Sequence, residues 1–331
     1  MTDSRPIELR SPDLSRWQPG NTGTEFVWQF DSGVPGPQVM VQALTHGNEL
    51  CGAIALDWLL DQQAAWRAQR GRLTLAFGNV AAFARWDPLN PDRSRYVDED
   101  FNRVWADEML LGPRDSVELR RARQLQPFVD AADLLLDIHS MHQACRPLMV
   151  CGATGRGGDK GAALSRRLQV PEVLLIDTGH PAGLRLIERG AFGDPDDART
   201  AVLIECGQHW EAAAADVAID TMLRFLRLSG VLPSRFIDAH LQRIGRAAAP
   251  HQSLVRVTHA VVARSTDFRF VRDFSGLEVI EKAGEPIAHD GEHVVRAPYD
   301  RTVLVMPSMS HLKVGTTMVR LGRVETDGGN E

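Results

Sequence analysis

The chain has 331 residues, 44% of them hydrophobic and 24% charged, with a formal net charge of -6. That length supports a large domain plus a small one, and the mixed charges with no lysine/arginine block argue against nucleic acid or an anionic membrane as a main partner. The four cysteines form no C-x-x-C pair, no stretch approaches a membrane span, and residues 1–17 lack a secretory pattern, so a reducing cytoplasm is expected.

Residues 24–30 ("TEFVWQF") and 37–44 ("PQVMVQAL") read as strands, and the turn-rich "DSGVPG" between them predicts a hairpin. Residues 50–69 predict a helix with one apolar face. At the strand-to-helix junction stands "THGNE", residues 45–49. Imidazole and carboxylate are both zinc ligands, and His46 and Glu49 are spaced to meet at one point if Gly47 lets the backbone turn between them. The same residues also fit a plain helix start, with Thr45 or Asn48 as the cap and Glu49 in the first turn.

"RLTLAFGN" predicts the next strand, and "SRYVDEDFNRVW" a loop carrying Arg95, Asn102 and Arg103. An arginine fork with an adjacent asparagine suits a carboxylate, and a second arginine suits a developing oxyanion. The alternative is a solvated loop in which Asp98, Glu99 and Asp100 pair with those arginines. A helix is expected at 114–131, then the buried strand "DLLLDIH" ending in His139. His139 is the third candidate ligand, because open α/β sheets collect site residues at the ends of neighbouring strands. Asp137, two residues earlier on the same face, is placed to orient it.

"RPLMVCG" and "PEVLLID" read as strands flanking a helix at about 160–169, and "RTAVLIECG" as a further buried strand that ends in Glu205. A carboxylate finishing a buried run needs a reason, since its desolvation is costly. Facing a metal-activated water it would serve as general base; otherwise it reaches solvent or an arginine. The helix "WEAAAADVAIDTMLRFLRL" follows. Alternating strands and helices predict an α/β layer with a largely parallel or mixed sheet. Beyond residue 248 short alternating stretches broken by Gly and Pro predict a small all-β module, so the expected division is 1–248 and 249–331. Its rhythm resembles a biotinyl or lipoyl carrier barrel, but "VMPSMSH" lacks the modified lysine, so it is read as structural or substrate-covering.

Taken in order, "HGNE", "RYVDEDFNR", "DIH" and "IECG" resemble the succinylglutamate desuccinylase/aspartoacylase family of zinc carboxypeptidase-like hydrolases. The resemblance implies one Zn2+ per chain on His46, Glu49 and His139. It also implies Arg95 at the carbonyl oxyanion, Asn102 and Arg103 on an α-carboxylate, and Glu205 as the catalytic carboxylate. The implied fold is a mixed sheet flanked by helices, with a smaller C-terminal β domain. The implied reaction is removal of an acyl group, succinyl or acetyl in type, from a small anionic N-acyl amino acid. Two features depart from the family: Ser140, Met141 and His142 replace an Asn-Thr pair, and only two tyrosines, Tyr96 and Tyr299, are present. Arg185, Arg189 and Arg199 are candidates to read the substrate's side chain. A metallocarboxypeptidase acting on short peptides and a non-catalytic carboxylate- or metal-binding protein are the alternatives. Assembly into a homo-oligomer is left open.

Overall fold

The computed structural model describes residues 6–309 and 312–325, so Met1–Arg5 of the N-terminal segment and Ser310 and His311 of "VMPSMSH" lie outside the described residues. The strands β1 (Val27–Asp31) and β2 (Gln38–Ala43) lead into helix α1 (Leu50–Asp61), then β3 (Arg72–Phe77) and two one-turn helices, α2 (Val80–Phe83) and α3 (Asp107–Leu110). Helix α4 (Val117–Ala131) precedes β4 (Leu134–Met141), β5 (Leu148–Ala153), helix α5 (Gly158–Leu168), β6 (Val173–Asp177) and β7 (Thr200–Gln208). Helices α6 (Ala212–Ser229) and α7 (Ser234–Ile244) close this part. The remainder is β8 (Ser253–Val262), β9 (Phe268–Phe270), β10 (Glu278–Ile280), β11 (Pro286–Asp290), β12 (His293–Arg296), β13 (Thr302–Val305) and β14 (Thr317–Glu325).

The expected mixed α/β architecture is observed. An 11-stranded sheet runs in the order β1-β3-β2-β4-β7-β5-β6-β8-β14-β13-β10, and β12-β11-β9 form a separate small antiparallel sheet. The runs "QVMVQA", "RLTLAF" and "LLLDIHSM" are buried on both faces because helices and loops cover both. Helices α1, α5, α6 and α7 bury one face, around Leu56, Leu164, Met222 and Ile237. Helix α4 and the loops before it bury the other, around Phe101, Trp105 and Leu125. Local chemistry sets the helix ends. Ser116 Oγ accepts from Leu119 N to start α4, and Gly230, at φ +68°, ends α6 in the left-handed region.

Three local expectations are corrected. Strands β1 and β2 form no hairpin: β1 pairs antiparallel with β3, and β2 lies parallel between β3 and β4. A strand buried on both faces finds more apolar cover in the middle of a sheet than beside the edge strand next to it in sequence. The helix expected at 50–69 ends at Asp61 and gives way to a 3-10 turn, Gln62–Ala65. Helix α7, over a stretch given no element from sequence, docks Phe236 against Trp58.

Across residue 248 the main sheet is continuous. Strand β8 pairs parallel with β6, from Val173↔Ser253 to Ile176↔Arg256, and antiparallel with β14. Among the described residues no helix is long and apolar enough to cross a membrane.

Candidate metal centre and its cavity

The junction between β2 and α1 delivers His46 and Glu49 where β4 ends at His139. Glu49 Oε1 lies 2.7 Å from His46 Nδ1, and Glu49 Oε2 lies 3.0 Å from His139 Nδ1. All three side chains are buried, and their ligand atoms lie within 4.8 Å of one another. The ligands of a tetrahedral zinc stand roughly 3.4 Å apart, so this donor set needs only small adjustments to hold one ion. The capping alternative is not realised: Glu49 is itself the N-cap of α1 and makes no side-chain cap bond, while Thr45 Oγ1 donates to Asp137.

Each imidazole has a carboxylate behind it. His139 Nε2 donates to Asp137 Oδ2 at 2.7 Å, as the sequence suggested. His46 Nε2 lies 3.0 Å from Asp100 Oδ1 and 3.0 Å from Arg95 Nη2; from sequence alone Asp100 is expected to pair only with the loop arginines. A metal bound through both Nδ1 atoms would leave each Nε2–H on its carboxylate, Asp100 or Asp137. Burial opposes charge on Glu49, but the two imidazoles outweigh it and hold the carboxyl well below its ordinary value.

Gly47 works differently from the expectation. It is not among the glycines with positive φ; a Cβ there would collide with the backbone of Phe83, Ser94 and Ala82. Its place is set by close approach of three chain segments rather than by a left-handed turn.

Glu205 stands beside His139 in the parallel register of β4 and β7, which puts both side chains on one face of the sheet. Its Oε2 is buried and has no hydrogen-bond partner, and burial pushes the carboxyl well above its ordinary value. Arg95 donates to Asp100 Oδ2 at 3.2 Å and lies 3.8 Å from Glu49. Part of the self-pairing alternative is therefore real, since Asp100 does pair with Arg95. Asn102 Oδ1 accepts from Leu186 N at 3.1 Å, and Arg103 donates to the Asn102 carbonyl. The whole loop is fastened by a residue that no sequence motif marks. Glu118 of α4 accepts from Val97 N, Asp98 N and Glu99 N, and from the Asn79 amide.

These residues line one cavity of about 270 Å³ together with Asp177, His180, Arg185 and, from the C-terminal part, Gly276, Val305–Ser308 and Arg320. Burial pushes His180 down to about 3 and Arg103 down to about 10. Of the three arginines proposed to read the side chain, only Arg185 lines this cavity. It is fully engaged, with its guanidinium forked onto Asp177 at 2.6 and 2.8 Å and onto Glu188 at 2.8 and 3.0 Å. Arg189 is held by Asp107 and Asp130, and Arg199 by Asp197.

Comparison with known proteins points the same way. Residues 35–228 match the model of the succinylglutamate desuccinylase/aspartoacylase catalytic domain. A protein named "Probable aspartoacylase" from Parasynechococcus marenigrum (strain WH8102) is 36% identical over 117 residues, 34% of this chain and 36% of that one. An N-acyl-aromatic-L-amino acid amidohydrolase (carboxylate-forming) from Xenopus tropicalis is 26% identical over 275 residues, 77% of this chain and 84% of that one. The chain spans about a third of the length of the first two curated relatives it matches, 36% and 35%. The structure is similar to a succinylglutamate desuccinylase from Vibrio parahaemolyticus, with TM-score 0.63 at 17% identity, covering 91% of this chain and 86% of that one. At that identity the likeness concerns the fold.

Proposed function

The chain belongs to the succinylglutamate desuccinylase/aspartoacylase family, and from that premise we propose that it is a zinc-dependent amidohydrolase. It would remove an acyl group, of succinyl or acetyl type, from a small anionic N-acyl amino acid. The observation that carries this reading is the convergence of His46, Glu49 and His139 with an unpartnered buried carboxylate oxygen, Glu205 Oε2, beside them. Two histidines and one glutamate are a donor set used by hydrolytic zinc, and Glu205 is the carboxylate beside them whose buried oxygen has no hydrogen-bond partner.

When bound, zinc supplies an acidified water, its pKa lowered to ~7, and polarises the scissile carbonyl. Glu205 takes the proton of the attacking water and then returns it to the departing nitrogen. Its raised affinity for a proton suits the second half of that task. Arg95, anchored by Asp100, lays a guanidinium beside the developing oxyanion. Arg103, with Asn102 at the end of the same loop, takes the α-carboxylate through charge-assisted hydrogen bonds. Arg95 and Arg103 beside the ion favour an anionic substrate.

We assign the segment after residue 248 as a substrate-covering module, since Gly276, Val305–Ser308 and Arg320 form part of the cavity wall. At about 270 Å³ the cavity is smaller than the usual range for drug-sized ligands, which favours a small acylated amino acid over the open groove of a carboxypeptidase. The test is hydrolysis of a panel of N-succinyl, N-acetyl and N-formyl amino acids, with metal analysis of the same sample. Stoichiometric zinc and turnover of at least one panel member are expected. Faster release of C-terminal residues from tripeptides would transfer the assignment to a carboxypeptidase.

A further inference from the structure

Every arginine that the sequence offered for reading the rest of the substrate is committed to protein carboxylates, and the cation left over comes from elsewhere. Arg320 sits on β14, opposite Ala260 of β8 and Val305 of β13, and reaches the cavity from the C-terminal side. Its Nε is buried without a hydrogen-bond partner, and among the described residues it makes no ion pair. The carboxylates whose charge it feels, Asp177 and Glu188, are those already gripped by Arg185. Arg320, Arg103 and His180 are also the residues that line both the inner cavity and the larger groove outside it. They form the neck between the two.

A guanidinium in such a place is costly unless something anionic joins it. Burial and the neighbouring Arg185 hold Arg320 below its ordinary pKa, and His180, pushed down to about 3, is neutral and can hydrogen-bond without adding charge. We propose that Arg320 is a specificity-determining residue that binds a second carboxylate of the substrate, separate from the α-carboxylate at Asn102 and Arg103. The planar fork of a guanidinium matches a carboxylate, and a second carboxylate at the neck would offset the excess positive charge there. This carboxylate is carried either by the acyl chain or by the amino acid's side chain. The inference rests on the amidohydrolase reading for its substrate, but not for the anion site itself.

Two matched pairs distinguish the sources: N-acetylaspartate against N-acetylasparagine, and N-succinylalanine against N-butyrylalanine. The wild-type chain should prefer the dianionic member of one pair by about 10- to 100-fold in kcat/KM, mainly through KM. Arg320→Gln should collapse that ratio to about one, and Arg320→Lys should keep part of it, because charge remains while the fork is lost. A wild type with no preference in either pair, or a ratio that survives in Arg320→Gln, overturns the proposal. Calorimetric titration of the full chain with succinate and with butyrate supplies a readout without turnover. Tighter binding of succinate that vanishes in Arg320→Gln, in a protein that hydrolyses nothing, would sink the amidohydrolase reading and leave the Arg320 site standing. Hydrolysis with equal binding of the two acids would do the reverse. If Arg320→Gln does not fold, Arg320→Lys decides: a ratio as large as the wild type's overturns the proposal, and a reduced one supports it.

Discussion

Glu205 and Gly47 show how differently two single residues support the same centre. Glu205 makes no bond that holds the fold together: its Oε2 is buried and unpartnered. Glu205→Gln should therefore fold normally and keep its zinc while losing roughly a thousandfold or more in kcat. Metal analysis and single-turnover assays on one preparation check this, and surviving turnover would remove Glu205 from the mechanism. Gly47 is the opposite case, a residue without chemistry whose missing Cβ lets the segments around Phe83 and Ser94 close on the junction. Gly47→Ala should cost about 1–3 kcal/mol by overpacking and weaken zinc binding as His46 and Glu49 shift. Chemical denaturation and competition with a chelator measure the two effects. His46, Glu49, His139 and Glu205 were legible from sequence because polar ligand types stand at the ends of apolar runs. Asp100 and Arg320 were not, because nothing in a linear reading says which acid faces which imidazole or which arginine lacks an acid.

At the scale of elements, the site is a product of strand register and of one helix. Parallel pairing of β4 with β7 sets His139 beside Glu205, and the loop with Arg95, Asn102 and Arg103 is attached to the body of the protein by the Glu118 carboxylate of α4. Removing that acceptor leaves three loop N–H groups and the Asn79 amide without their partner. Glu118→Ala is expected to destabilise the chain by roughly 3 kcal/mol and to raise KM as the arginines lose their positions. Glu118→Gln, which keeps one acceptor oxygen, should fall between. Denaturant midpoints together with KM test this; an unchanged KM in Glu118→Ala would show that the loop holds itself. The missed hairpin belongs to this scale too. Local turn chemistry in "DSGVPG" is compatible with a hairpin, but β2 is buried on both faces and is drawn into the middle of the sheet.

For the molecule as a whole, the sheet that passes from β6 to β8 ties the C-terminal part to the rest. A chain ending at Ala248 would expose the edge of β6 and open the cavity wall. It is expected to aggregate, as size-exclusion chromatography with light scattering would show; a monodisperse product would mean that the first part is self-sufficient. Acid should also loosen the fold. Burial pushes His209 down to about 3, where Ser140 Oγ lies 2.9 Å from its Nδ1. The unfolded chain, with an ordinary histidine near 6.5, then binds the proton more readily than the folded one. The stability contributed by neutral His209 is thus present above about pH 6.5 and lost as pH falls toward 3. Tm between pH 7.5 and 5 should drop more in wild type than in His209→Gln; parallel curves would remove His209 as a cause.

By itself the sequence determined the alternation of strands and helices and the ligand types at their ends, because hydrophobic periodicity and the chemistry of imidazole and carboxylate act over a few residues. Only the tertiary structure decided the strand order, the carboxylates behind each imidazole, the neutralisation of Arg185 and the isolation of Arg320. Those depend on contacts between residues far apart in the chain, where charge pairing and burial are settled by which surfaces the folded sheet brings together.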